Sequence, residues 1–306
     1  MALILAVLSL VWGTQHLVIR VTQPDVAPAL AVALRFAIVA LVAECVCRVR
    51  GHRIGARHLP LRALFGVMHA VSMVLLYAAN GEIPTALVGL LIATTPLFVT
   101  LLAPLLLRGG PTTDGTPAAR EPFGPTQLAA AVIGVAGIAI LSVSELGDGG
   151  SIVGIVFGLG AALASALSRV ASKALVLPLP SAVLLRDLGA VSALTAAALW
   201  LAQGRPGTAP DLTAWAGIAY LGLVASALAT GLYLGILRHV PVAKLSYQML
   251  VTALVATLAG TLVRSEPFGP EAALGAVLVL VGLALTVRRH PGRSLREGDA
   301  GGYRKR

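Results

Sequence analysis

Charge is what this chain has least of. Of its 306 residues, 23 are Lys or Arg and 13 are Asp or Glu, which together make 12%. Soluble domains carry about 25%. The hydrophobic share is 57% and the mean hydropathy +0.89, so a soluble globular reading is excluded. Cysteine is nearly absent. Cys45 and Cys47 lie two apart, a spacing poor for a bridge and too sparse for a zinc site. There is no Walker A sequence, no HExxH and no nucleophile elbow. An ATP-driven pump would need a nucleotide domain elsewhere, and no paired acid/base constellation supports an intramembrane enzyme. The expectation is therefore a protein that is not an enzyme, with no cofactor and no metal. Strict alternation is missing too, so a membrane β-barrel is not indicated. The net charge of +10 does not point to nucleic acid, because the charges sit in short loops and the C-terminal tail.

What the chain has instead is a succession of apolar runs of ~20 residues, the length an α-helix needs to cross the hydrocarbon layer. Ten are read: about 2–20, 29–47, 63–80, 84–107, 125–144, 152–173, 181–202, 214–237, 241–263 and 270–288. The first lacks the basic n-region and cleavage site of a signal peptide, so it is kept as a span.

One pentapeptide occurs twice. Glu121-Pro122-Phe123-Gly124-Pro125 precedes the fifth run and Glu266-Pro267-Phe268-Gly269-Pro270 precedes the tenth. Proline and glycine stop a preceding helix, proline suits the first turn of the next, and a glutamate is favoured near a helix N-terminus. The motif is a cap and hinge that marks the same place in two halves. The halves align further. Leu34-Arg35 matches Leu185-Arg186, and Pro84 and Thr95 match Pro241 and Thr252 at one offset. The expected organisation is a first repeat over 1–144, a second over 152–288, and a basic tail over 289–306.

Counting Lys and Arg sets the orientation. With the N-terminus inside, 17 fall on the inner side, counting the five arginines of 48–62 and seven in the tail. Arg20, Arg205 and Arg264 fall outside, and Arg35, Arg169 and Arg186 fall within spans. Both termini are expected in the cytoplasm. Five spans per half is an odd number, so the second half enters the membrane from the opposite face. The expected fold is an all-α membrane protein of ten transmembrane helices, arranged as two five-helix inverted-topology repeats. That architecture is typical of secondary transporters.

Trp12-Gly13-Thr14, Leu34-Arg35-Phe36, and the glutamates before spans five and ten resemble the drug/metabolite transporter superfamily, and within it the EamA-domain family. The resemblance covers residues 2–288. Two features depart from it: the long 108–120 segment, and Asp187 where the aromatic Phe36 stands in the first half. The resemblance implies a bacterial inner-membrane carrier, often an exporter of amino acids or other small metabolites, working without ATP. A lipid flippase of the same fold, and a non-transporting sensor or assembly partner, are the alternatives. The partners expected are a small-molecule substrate and the bilayer, with no nucleic acid, and the chain as a monomer or homodimer.

Polar groups inside spans are costly unless they face protein or a water-filled cavity. They form stripes at three- and four-residue steps in spans one, three, four, six, eight and nine. Trp12, Gln15, Ser72, Thr95, Tyr233, Gln248 and Thr252 are the candidate substrate-binding residues. His69, and less so His16, are the proton-coupling candidates, because histidine titrates near physiological pH. Arg20 and Lys173 are candidate gate-side cations. Tyr77 reads as an interfacial belt residue, and Arg186 with Asp187 as an ion pair.

Overall fold

A computed structural model describes residues 2–22, 26–52, 55, 58–106, eight positions between 129 and 140, 151–175, 179–237, 242–264 and 269–288. Its described secondary structure is entirely helical. The helices are α1 (Ala2–Thr22), α2 (Pro28–Val49), α3 (Leu59–Glu82), α4 (Thr85–Ile92), α5 (Thr95–Leu106), α6 (Ile152–Leu175), α7 (Ser181–Ala202), α8 (Leu212–Leu237), α9 (Val242–Arg264) and α10 (Pro270–Arg288). Helices α1, α2, α3, α6, α7 and α8 are long and apolar enough to cross a membrane, and shorter apolar stretches lie in 85–99, α9 and α10. Of the fifth expected span, 129, 132–134, 136–137 and 139–140 are helical. The 108–120 segment, the first pentapeptide and the tail 289–306 lie outside the described residues.

Helix starts follow from local chemistry. Pro28 heads α2 and Pro270 heads α10, where the missing N–H needs no partner. Gly269 of the second pentapeptide accepts at its carbonyl from Ala273 N–H at 2.9 Å. Asp211 caps α8, its carboxylate accepting from Ala214 N–H at 2.7 Å.

The fourth expected span is not one helix. It breaks at Ala93 and Thr94 between α4 and α5. Pro96 has no N–H to give the carbonyl of Ile92 four residues back. The Thr95 hydroxyl donates to that carbonyl at 2.6 Å, and the Thr94 hydroxyl donates to Leu91 O at 2.6 Å. The break is thus chemically closed, as irregular backbone at membrane depth must be.

The outside of the bundle is apolar: Leu3, Leu41, Leu194, Leu212 and Leu262 are all exposed. That surface suits lipid, not water. The inside is small. Ala31, Ala161, Ala166, Ala196 and Ala253 are fully buried. A Cβ on Gly189 would stand 2.6 Å from Ala40 N, and one on Gly13 would stand 2.5 Å from Val255 Cβ. Close backbone approach of this kind drives helix association where no hydrophobic effect operates.

Among the described residues, the most extensive packing joins the two halves rather than helices within one. α2 lies along α7, α3 along α6, and α9 runs against α1 and α4. Hydroxyls stitch these seams. Ser72 on α3 donates to Ala161 O on α6 at 2.8 Å, and Ser168 on α6 donates back to Phe65 O at 3.1 Å. Ser192 on α7 donates to Gly66 O on α3 at 3.0 Å.

Candidate functional site

These helices line a partly open cavity of about 90 Å³. Both halves build it. Trp12, Gln15 and His16 come from α1, Arg35 from α2, and His69 and Ser72 from α3. Ser165, Ser168, Arg169 and Ser172 come from α6, Ser226, Thr230 and Tyr233 from α8, and Thr252 from α9. Met73, Leu76, Leu188 and Leu234 complete an apolar share of the wall.

Among the described residues Arg35 is the most buried cation, at 2% exposure. Its Nε donates to Ser226 Oγ at 2.7 Å, Nη1 to Tyr77 Oη at 3.1 Å and Nη2 to Gln15 Oε1 at 3.1 Å. The Phe36 and Tyr77 rings lie 5.6 and 5.9 Å from its guanidinium carbon. Tyr77 is therefore an internal partner of Arg35, 2% exposed, and not a belt residue. Neutral acceptors and ring faces hold a charge that hydrocarbon would reject. Ser226 lies in a π-helical stretch, Leu221–Leu228, inside α8. The preceding carbonyl, Ala225 O, accepts from Trp12 Nε1 at 2.9 Å. Segments of this kind are frequent at functional sites.

Arg169 is the second cation. Its Nη1 donates to Tyr233 Oη at 3.2 Å and its Nε to Ser165 Oγ at 3.4 Å. It stacks near Trp12 at 5.9 Å and Tyr233 at 5.4 Å, and those two rings tilt together at 5.6 Å between centroids. No Asp or Glu is among the described residues lining the cavity.

Trp12, Gln15, His16, His69, Ser72, Tyr233 and Thr252 thus share one space. His16 is fully buried with no partner for either ring nitrogen, and the Thr252 hydroxyl is likewise unpartnered. His69 stands edge-on to Phe36 at 5.2 Å. Two candidates lie apart from the cavity wall. Thr95 is fully buried and its hydroxyl is occupied by Ile92 O. Gln248 is 2% exposed with both amide atoms unpartnered, and its backbone carbonyl accepts from Ser9 Oγ at 3.4 Å.

The candidate gate-side cations also lie apart. Arg20 donates to the carbonyls of Asn80 and Ile83, which close the end of α3, so it acts as a cap supplied by another helix. Lys173 is exposed in the last turn of α6. Arg169 was passed over by sequence reasoning as one of three in-span arginines. A signal was there: 165, 168, 169 and 172 share one helical face.

A separate ionic cluster joins the end of α2 to the starts of α3 and α7. Arg62 Nε lies 2.7 Å from Asp187 Oδ2, Arg186 Nη2 2.9 Å from Asp187 Oδ1, and Arg186 Nη1 3.9 Å from Glu44 Oε2. Arg62 also donates to Gly55 O at 2.5 Å. Arg62, counted from sequence among the loop arginines, is 4% exposed in the first turn of α3. Among the described residues no group of three or more His, Cys, Asp or Glu is placed to hold a metal.

A lipid-faced helical bundle whose two halves interleave around a polar cavity has the build of a membrane transporter. The EamA-like transporter family model matches residues 1–143 and again 152–288, and the chain belongs to that family. Among curated proteins it is similar to the uncharacterized inner membrane transporter YedA of Escherichia coli K12, 24% identical over 266 residues, covering 83% of this chain and 79% of that one. The YedA proteins of strains O6:H1 and O157:H7 match to the same extent. A solved crystal structure superposes with a TM-score of 0.66 at 22% identity, covering 94% of this chain and 98% of that one. At that identity the likeness shows the fold alone.

Proposed function

We propose that the protein is a secondary carrier, not an enzyme. It moves a small metabolite, amino-acid-like or otherwise polar or amphipathic, across the cytoplasmic membrane by alternating access, as an exporter. The observation that carries this reading is the cavity itself: polar side chains from both halves converge on it, which a mere anchor does not need.

The halves act as an inverted repeat, spans one to five against six to ten. The packing supports a two-fold relation, because cross-half seams come in matched pairs. Span one meets nine as span six meets four; three meets six as eight meets one; two meets eight as seven meets three; two–seven and four–nine pair with themselves. With an odd number of spans per half, that relation inverts one half. Both termini then lie in the cytoplasm. A C-terminal fluorescent fusion is expected to glow and a C-terminal periplasmic phosphatase fusion to be silent; the reverse would end the ten-span inverted reading.

Metabolite profiling of cells and medium, with and without the protein, tests transport directly. A compound depleted inside and enriched outside on production of the protein is the expected result; unchanged profiles would leave a sensor or assembly role. Proton coupling is assigned to His69 in preference to His16, both in the cavity wall near Arg35 and Arg169. His69→Gln keeps hydrogen bonding but cannot titrate there, so it is expected to abolish pH-dependent uphill transport and leave downhill exchange. An unchanged pH profile would make His69 structural.

A further inference from the structure

The carrier reading leaves the class of cargo open, and the charges in the cavity bear on it. Two guanidinium groups line the space and, among the described residues, no carboxylate does. The two differ in what they have left to give. Each nitrogen of Arg35 already donates to a neutral acceptor, and the side chain is 2% exposed. Arg169 is only partly buried and its two hydrogen bonds, at 3.2 and 3.4 Å, are long and go to hydroxyls. A guanidinium carries five N–H donors, so most of this fork is unspent. In the same wall stand the unpartnered ring nitrogens of fully buried His16 and the unpartnered hydroxyl of Thr252, which is 5% exposed.

From this we infer that the cavity binds a small organic anion, its carboxylate received by Arg169 and its apolar remainder packed against Trp12, Met73, Leu76 and Leu234. A cation inside a membrane protein is costly without a counter-charge, and among the described lining residues no carboxylate supplies one, so a bound anion would. The planar fork of Arg matches a carboxylate in a bidentate manner. Of the two guanidinium groups only Arg169 has a nitrogen left to give, and a single planar fork pairs with the two oxygens of one carboxylate, whereas the four oxygens of a phosphate would find no second free fork. A ligand ammonium finds no acid in the wall and meets two like charges. The cavity volume of about 90 Å³ corresponds to about three waters, which the carboxyl group itself fills; the cavity is partly open, so the chain lies along its apolar side rather than inside it. Only the statement that this anion is cargo rests on the carrier reading.

The test uses the purified full-length protein in detergent and three near-isosteric probes: 4-methylpentanoate, 4-methylpentanamide and 4-methylpentylamine. Inorganic phosphate is the fourth probe. The midpoint of thermal unfolding is followed against probe concentration at neutral pH. The carboxylate is expected to stabilise in a saturable manner, with the amide, the amine and phosphate at least ~10-fold weaker, the factor that ~1.4 kcal/mol represents. Arg169→Gln is expected to weaken the carboxylate ~30-fold or more, as removal of one partner of a buried charge pair does. Arg169→Lys keeps part of the affinity. Should Arg169→Gln not yield monodisperse protein, the wild-type ranking of the four probes decides alone. Equal or better stabilisation by the amine, the amide or phosphate overturns the proposal. So does the absence of any carboxylate effect, or a carboxylate effect unchanged in a folded Arg169→Gln variant. Carboxylate binding with unchanged metabolite profiles would sink the carrier reading and leave this inference standing; export of a cation would do the opposite.

Discussion

Arg35 and Arg186 hold matching places in the two halves, each following a leucine, yet they do different work. Arg35 is followed by Phe36 and sits beside the cavity among neutral acceptors and ring faces. Arg186 is followed by Asp187 and is bound into an ionic cluster that also takes in Arg62 and Glu44. One neighbouring residue sends one arginine to the cavity wall and the other to a clasp between halves. The threonines repeat the lesson. Thr95 spends its hydroxyl on the carbonyl that Pro96 leaves without a donor. At Thr252 the next residue is Ala253, the helix runs on unbroken, and the hydroxyl is left to the cavity. The matching positions hold the same residue; the residues beside them differ, and the contacts differ with them.

The sharpest way to break this contrast is at Asp187. Asp187→Leu leaves Arg62 and Arg186 buried without that carboxylate, which is expected to cost ~3–5 kcal/mol. A large fall in the unfolding midpoint, and little monodisperse protein, would show it. Arg35→Lys comes next. A single ammonium cannot reach three acceptors at once, and losing charge-assisted bonds is expected to cost ~2–3 kcal/mol. A variant as stable as wild type would mean that those three bonds do not hold the charge.

The threonine pair gives smaller and opposite effects. Thr95→Val strands the Ile92 carbonyl and is expected to cost ~1–2 kcal/mol. Adding Pro96→Ala supplies a backbone N–H and should recover most of that loss. A double variant no better than the single one would refute the account of the helix break. Thr252→Val is expected to change stability by less than ~0.5 kcal/mol, because no partner is lost. Any substantial change it makes should appear in substrate affinity instead.

Much of the membrane architecture was legible because it depends on short-range pattern. Apolar length announced the spans, and the period of the helix placed Trp12, Gln15, His16, Ser72, Tyr233 and Thr252 on faces that share one cavity. The pentapeptide and the Leu-Arg pairs marked the two halves, and the family model matches each half separately. What escaped depends on which helix lies opposite. Nothing local says that Tyr77 meets Arg35, that Arg62 leaves its loop for Asp187, or that Arg20 caps α3. Thr95 was misjudged for a different reason. Its polarity was read as facing a ligand, when the missing N–H of Pro96 gave it a backbone partner one turn away.

The dominance of seams between halves has a consequence for how the protein is made. Arg62 waits for Asp187, which is 125 residues later in the chain, and Arg35 for Ser226, 191 residues later. At a synthesis rate of ~5–20 residues per second, the second wait lasts ~10–40 s. During it, the newborn first half carries buried cationic side chains that have only part of their partners, Arg35 with Gln15 and Tyr77 but not Ser226, and Arg62 with Gly55 O but not Asp187. Such a half is an orphan to the cell's proteases. Produced alone it should be short-lived, and produced together with a separately encoded second half it should persist, since what it lacks is a partner rather than a covalent link.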